Sequence, residues 1–203
     1  KRLEDEILVT RQGHIHAGIT GGAFLFKTLM EANRDDLIYP MVNTSEYPGW
    51  GDMRRKGATT IWESWDAGGS LLHSSYLYVG AWFIHGVLGI QPDTAAPGFS
   101  RFAIRPGPID RPDLTWAKGS YDSQHGAMTV EWHRNADAFT LDTRVPPNTT
   151  ALAYVPAASR DAITESGRPL ASAPGVKFLR LEGDRAVLEL QSGSYAFRTA
   201  TAR

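Results

Sequence analysis

Apolar positions recur at helical spacing through the first half of the chain and alternate with polar ones through the second, so the hydrophobic period changes once. Leu3, Ile7 and Leu8 define a short helix over 3–11, closed by Gly13, since glycine readily takes the left-handed conformation that ends helices. A second helix is expected from Ala17 to Ala32, with Ile19, Ala23, Phe26 and Met30 on its buried stripe and Lys27 and Glu31 turned away. Asp35 and Asp36 open a third through Val42, where negative charge suits the amino end of the helix dipole. Pro40 removes one hydrogen bond there, at a cost on the order of 3 kcal/mol, so this helix should be short, kinked or finished near Tyr39. The strongest helical signal begins at Ser70. Leu72, Tyr76, Val79, Phe83, Val87 and Ile90 repeat at about 3.6 residues, and Leu71, Trp82 and Leu88 widen the stripe until it is nearly continuous.

From Gln91 to Pro97, prolines and small residues replace any periodicity, which marks a boundary between domains over 1–93 and 97–203. Beyond it Phe102 and Ile104, Met128, Val130 and Trp132, Phe139 and Leu141, Ala186, Leu188 and Leu190, and Tyr195 and Phe197 alternate with polar neighbours. Turn sequences at Asn135-Ala136-Asp137, Pro146-Pro147-Asn148 and Glu182-Gly183-Asp184 separate them. About eight short strands spaced this way indicate an antiparallel β-sandwich, with Trp116 and Trp132 on strands whose alternation points them inward. The fold class is therefore α plus β in two successive parts.

With 203 residues, 42% of them hydrophobic and 21% charged, the chain suffices for a sizeable core and reads as soluble and globular. Its 21 basic and 22 acidic residues leave a net charge of −1 without a basic run, which excludes an electrostatic nucleic-acid binder and suits a neutral ligand. The lack of cysteine removes disulfides, thiolate metal sites and a cysteine nucleophile. No apolar run reaches the roughly 18 residues of a membrane helix, and the charged opening from Lys1 to Glu6 is not a signal peptide, so no membrane partner is expected and the compartment stays open.

Candidate chemistry concentrates in Gly57-Ala58-Thr59-Thr60-Ile61-Trp62-Glu63-Ser64-Trp65-Asp66, where two indoles and two carboxylates fall within five residues. Indole faces suit the C–H face of a pyranose, and an acid among them is partly desolvated and available for proton transfer. If the segment is helical, Trp62 and Trp65 share one face and Glu63 and Asp66 another. The same residues would equally serve as a buried aromatic turn whose acids cap a helix.

This run, preceded by Tyr47-Pro48-Gly49-Trp50-Gly51-Asp52-Met53 and Lys56 and followed by Val79-Gly80-Ala81-Trp82, Pro97-Gly98-Phe99 and Ile104-Arg105-Pro106, resembles the C-terminal part of bacterial α-L-rhamnosidases of glycoside hydrolase family 78. The order of these motifs carries the resemblance, which is strongest from about Gly13 to Tyr121. It implies the closing helices of an (α/α)6 toroid followed by a C-terminal β-sandwich. About four helices cannot close six pairs, so the rest of the barrel would come from residues absent here. The resemblance further implies a C-terminal fragment of an inverting hydrolase that removes terminal α-L-rhamnose from a carbohydrate, without a cofactor, and it places Glu63 as the general base. Such chemistry sets two carboxyl groups roughly 6.5–9.5 Å apart. The family's general acid lies in an acidic, arginine-containing stretch well upstream, and nothing in this chain matches it. Asp52 and Asp66 read as loop or capping residues.

The resemblance also makes His73 a sugar contact at the start of the Ser70 helix, although Leu72 stands where the family usually has asparagine. Trp50, Trp62 and Trp65 are the candidate subsite walls, with ligand recognition in the helical part and the β-domain supporting it. His14 and His16 could share a face of an extended segment, but no third ligand stands at a diagnostic spacing, so no metal is expected. A non-catalytic sugar-binding or scaffold module is the competing reading. An ionisable Glu63 among indoles favours the hydrolase, because a binding platform could use glutamine and avoid the desolvation cost of the charge.

Overall fold

The computed structural model describes residues 1–107 and 110–200. The chain divides into two compact units, Lys1–Phe83 and Ile84–Arg203.

In the first unit, α1 covers Arg2–Asp5 and continues as a wider π-helical turn over Glu6–Thr10. Gly13 ends it at φ +79°, and its amide donates to the Ile7 carbonyl at 2.8 Å. The second helix, α2, covers Ile19–Glu31 and buries Gly22, Phe26 and Leu29. Its stripe is thus rotated from the expected one, and Ile19 is exposed. The cause is Gly22: a Cβ there would lie 2.1 Å from the Tyr78 hydroxyl oxygen, so the missing side chain lets an aromatic ring approach the helix.

Helix α3, Asp35–Asn43, runs through Pro40 instead of ending at Tyr39, with Leu37, Ile38 and Met41 buried. Burial of that face offsets the proline's lost hydrogen bond. Asp35, in its first turn, accepts a hydrogen bond from the Trp82 indole N–H at 2.7 Å. A short α4, Trp50–Arg55, occupies the segment read as loop. Its entry is fixed by Gly51, where a Cβ would meet the Thr44 carbonyl oxygen at 2.3 Å.

The largest departure concerns Ser70 to Ile90. Helical structure is confined to α5, Val79–Trp82, and a π-helical stretch over Phe83–Val87. Upstream, the Ser70 hydroxyl bonds the Leu72 carbonyl at 2.9 Å and the Ser75 amide donates to His73 Nδ1 at 3.0 Å. Local side-chain bonds of this kind compete with the helical ladder. Gly89, at φ +80°, then turns the chain into a strand, and a Cβ there would clash with the Arg105 backbone at 2.1 Å. The segment 62–66 is likewise a turn, so Glu63 and Asp66 do not share a helix face.

The second unit is two sheets. In chain order the strands are β1 Ile90–Pro92, β2 Arg101–Ile104, β3 Trp116–Ser123, β4 Gly126–Arg134, β5 Ala138–Val145, β6 Thr150–Pro156, β7 Ile163–Glu165, β8 Arg168–Pro169, β9 Val176–Glu182, β10 Arg185–Leu190 and β11 Gly193–Ala200. One sheet has the order β1-β2-β6-β10-β9 and the other β3-β4-β5-β11-β7-β8. Every pairing is antiparallel except β2 with β6. β1 overlaps the segment expected to be a linker, and the strands outnumber the eight expected because β1, β7 and β8 are too short for alternation to show. The three expected turns join β4 to β5, β5 to β6 and β9 to β10. At the first, the Asn135 side-chain oxygen accepts from the Asp137 and Ala138 amides at 2.9 and 2.8 Å. The alternating apolar residues from Phe102 to Phe197 are buried between the sheets. Trp132 is fully buried and its indole donates to the Val87 carbonyl at 2.8 Å. Trp116 reverses the expectation. It pairs with His133 on the opposite face and is 58% exposed.

Candidate active site

Glu63 is held by a short backbone pairing. Its amide donates to the Ser70 carbonyl at 2.9 Å, and two residues away the His73 amide donates to the Ile61 carbonyl at 2.8 Å. This places the Ser70 amide against the Glu63 carboxylate, where it donates to Oε2 at 2.8 Å. Gly69 makes the approach possible: at φ +79°, a Cβ on this residue would stand 2.5 Å from Oε2. One carboxylate oxygen is therefore anchored, and Oε1 carries no partner among the described residues.

The carboxylate lines a cavity of about 700 Å³ whose other walls are the amino end of α2, from Gly18 to Gly21, the Ser64 and Gly68 turn, and Tyr76. No side chain caps α2, so the first-turn amides of this helix face the cavity region uncapped. Tyr76 is a site residue that sequence reasoning left in the helix stripe. It reaches the cavity because the segment around it is irregular, a signal present only as the serines that precede it.

Behind Tyr76 stands an aromatic frame. Trp65 stacks on it at 3.8 Å between ring centroids and 22° between planes. The Trp65 indole donates to the Ala17 carbonyl and the Trp50 indole to the Tyr76 carbonyl, both at 3.1 Å. Trp50 meets Trp65 edge-on at 5.1 Å and Phe26 at 5.7 Å. Trp62 and Trp65 are buried and Trp50 is half-buried. Trp65 also lines a smaller hollow of about 300 Å³ with Tyr47 and Pro48. The structure thus brings Trp50 and Trp65 together with Tyr76 behind the cavity containing Glu63, while Trp62 is packed in the core of the unit. His73 is half-buried beside the same backbone pairing, and its Nδ1 is occupied as acceptor by Ser75. Its ring proton therefore sits on Nε2, which is left as a donor.

The other carboxylates near the motif are committed. Asp66 accepts from the Ser64 hydroxyl at 2.7 Å and the Gly68 amide at 3.2 Å, and the hydroxyl above all holds its carboxyl below the ordinary range. Asp52 has no exposed surface and faces Arg55 Nη2 at 2.5 Å and Lys56 Nζ at 2.8 Å. The Lys56 hydrogen bond is the main cause of its lowered pKa. Burial raises the phenol pKa of both Tyr76 and Tyr78. His14 is tied to the Arg11 carbonyl at 3.2 Å and the Thr44 hydroxyl at 3.4 Å. Among the described residues no group of three or more His, Asp or Glu could hold a metal ion, and no helix is long and apolar enough to cross a membrane.

Residues 2–87 match the bacterial alpha-L-rhamnosidase 6 hairpin glycosidase domain and residues 89–169 the bacterial alpha-L-rhamnosidase C-terminal domain. An alpha-L-rhamnosidase of Streptomyces avermitilis is 31% identical over 94% of this chain and 18% of its own length. One from Formosa agariphila is 28% identical over 91% of the chain and 21% of its own length. The chain thus spans about one fifth of the curated relatives it matches. Among solved structures, the alpha-L-rhamnosidase from Dictyoglumus thermophilum superposes with a TM-score of 0.85 at 27% identity, over 98% of this chain and 23% of that one. The Streptomyces avermitilis enzyme complexed with L-rhamnose gives 0.82 at 29% identity, over 95% and 19%.

Proposed function

The chain belongs to the bacterial alpha-L-rhamnosidase family, and from that premise we propose that it supplies one half of the active site of an inverting glycosidase acting on terminal α-L-rhamnose. Glu63 is the general base in this reading. It takes a proton from the water that attacks the anomeric carbon, while an acid outside this chain protonates the leaving oxygen. The observation that carries the reading is the Ser70 amide on Glu63 Oε2, which fixes the carboxylate at the cavity wall and leaves Oε1 to accept. Hydrogen bonding favours the ionised form of Asp66 and ion pairing that of Asp52, so neither suits the role of proton donor. That supports an acid from elsewhere.

Trp50 and Trp65 shape the sugar subsite by fixing Tyr76 at the cavity wall, and His73 offers its Nε2 proton to a sugar hydroxyl. The rest of an (α/α)6 barrel is the partner that completes the cavity. Leu3, Val9, Phe24, Leu71, Leu72 and Leu77 are all exposed on the helical unit, and such a density of uncovered apolar side chains suits a surface meant to be covered.

Glu63→Gln tests the assignment in a polypeptide that carries this chain together with a complete barrel. Turnover should fall by roughly 10²–10⁴-fold with a much smaller change in KM, because the amide keeps the side chain's reach without its basicity. Azide, which needs no deprotonation, should restore product as a glycosyl azide of inverted configuration. Unchanged turnover and pH dependence would remove Glu63 from the mechanism. Unfolding of the variant would make Glu63 a structural acid of the turn and favour the non-catalytic module.

A further inference from the structure

The outer face of the six-stranded sheet carries a groove of about 790 Å³ that the chemistry at Glu63 does not use. Strand register builds its floor. Lys118 on β3 lies beside Glu131 on β4, which lies beside Asp142 on β5, and the neighbouring row sets Thr129 beside Arg144. Neighbours within a row are about 4.8 Å apart from strand to strand, so the floor presents both donors and acceptors at that spacing. Its charges are matched, Lys118 and Arg144 against Glu131 and Asp142. Lys118 Nζ meets Glu131 Oε2 at 2.7 Å, and His133 Nε2 meets the other oxygen at 3.1 Å.

On the same face, one row beyond Lys118 and just outside the residues that line the groove, stands Trp116. Its ring lies parallel to that of His133, at 15° and 6.2 Å between centroids, while most of its surface remains exposed. A nucleic acid would need net positive charge, which the matched pairs remove. A protein interface would need an apolar centre, and Trp116 is the sole large apolar side chain among the described residues of these rows. A pyranose presents what remains: an apolar C–H face for the indole and an edge of hydroxyls for paired donors and acceptors. We propose that this face binds a neutral oligosaccharide, with Trp116 as its stacking residue and Lys118, Glu131, Asp142 and Arg144 bonding its hydroxyls.

The test follows the tryptophan indole N–H resonances of the 203-residue chain as short neutral oligosaccharides, with and without a terminal α-L-rhamnose, are added. The expected result is a saturable shift of the Trp116 resonance. Trp116→Ala should weaken binding roughly tenfold, the loss of one stacking contact, with the Trp132 resonance unmoved because the fold is intact. Arg144→Ala should weaken it as well, and Glu63→Gln should leave it unchanged, which separates this site from the proposed base. The proposal is overturned if only Trp50, Trp62 or Trp65 responds, if no oligosaccharide shifts Trp116, or if Trp116→Ala binds as well as the parent. It is also overturned if the longer polypeptide fails to bind at Trp116, since the face is then covered by protein.

Discussion

Replacing Gly69 by alanine probes the geometry of Glu63 from the backbone side. The position has φ +79°, and the new Cβ would stand 2.5 Å from Glu63 Oε2 and 3.0 Å from Cδ. Two costs follow. Holding a non-glycine residue in the left-handed region costs about 1–2 kcal/mol. The contact then forces the carboxylate off the Ser70 amide, which it now meets at 2.8 Å. A hydrogen bond to a charged group contributes about 1.5–3 kcal/mol, and water replaces part of it at a half-exposed site, which leaves about 1 kcal/mol. Gly57 supplies the control, because it has φ +89° and a Cβ there would find nothing within 4 Å, so Gly57→Ala carries the strain without the clash. Denaturant unfolding of the two variants should therefore differ by about 1 kcal/mol, and exchange of the Ser70 amide should quicken roughly fivefold in Gly69→Ala alone. In a complete barrel, a base displaced by about an ångström should lower kcat by up to about 10²-fold with KM nearly kept. Equal stability losses at the two glycines, with Ser70 exchange unchanged, would refute the account of how Glu63 is held.

Two further outcomes follow from buried polar groups. The Tyr78 hydroxyl is buried without a hydrogen-bond partner, so Tyr78→Phe should stabilise the helical unit by about 1 kcal/mol; a lower denaturant midpoint at the same slope would contradict this. Asp52 has a folded pKa below its ordinary 3.8, set chiefly by the Lys56 hydrogen bond. A depressed folded value means stability that is present above the unfolded pKa and lost as pH falls through the lower folded one. Asp52→Asn should accordingly lose stability at neutral pH and lose less on acidification than the parent, as measured by unfolding on either side of pH 3.8; parallel pH curves would exclude Asp52 as the acid-sensitive group.

Local rules sufficed where a segment's neighbours in space are also its neighbours in sequence. Gly13 ends its helix, Asn135 and Gly183 make their turns, and alternation from Met128 to Trp132 shows which side chains enter the sandwich, because each signal acts within a few residues. The cluster of Glu63 with Trp62 and Trp65 was equally visible as composition, and the ordered motifs around it pointed to the family. Tertiary structure decided the rest. The apolar period from Ser70 to Ile90 suggested one long helix, yet the serines redirected the backbone until Val79, and Leu71, Leu72 and Phe83 of the expected stripe are exposed. Trp116 and Trp132 have the same composition signal, but the register of β3 against β4 sets one outward and the other inward. Likewise, no pattern in the sequence places the Ser70 amide on Glu63, since that contact depends on a backbone pairing closed across Gly69. Sequence determined which residues are candidates for the chemistry and where the strands alternate, and only the packed chain decided which of those residues meet, because a contact between distant positions depends on backbone path and close approach that no local period encodes.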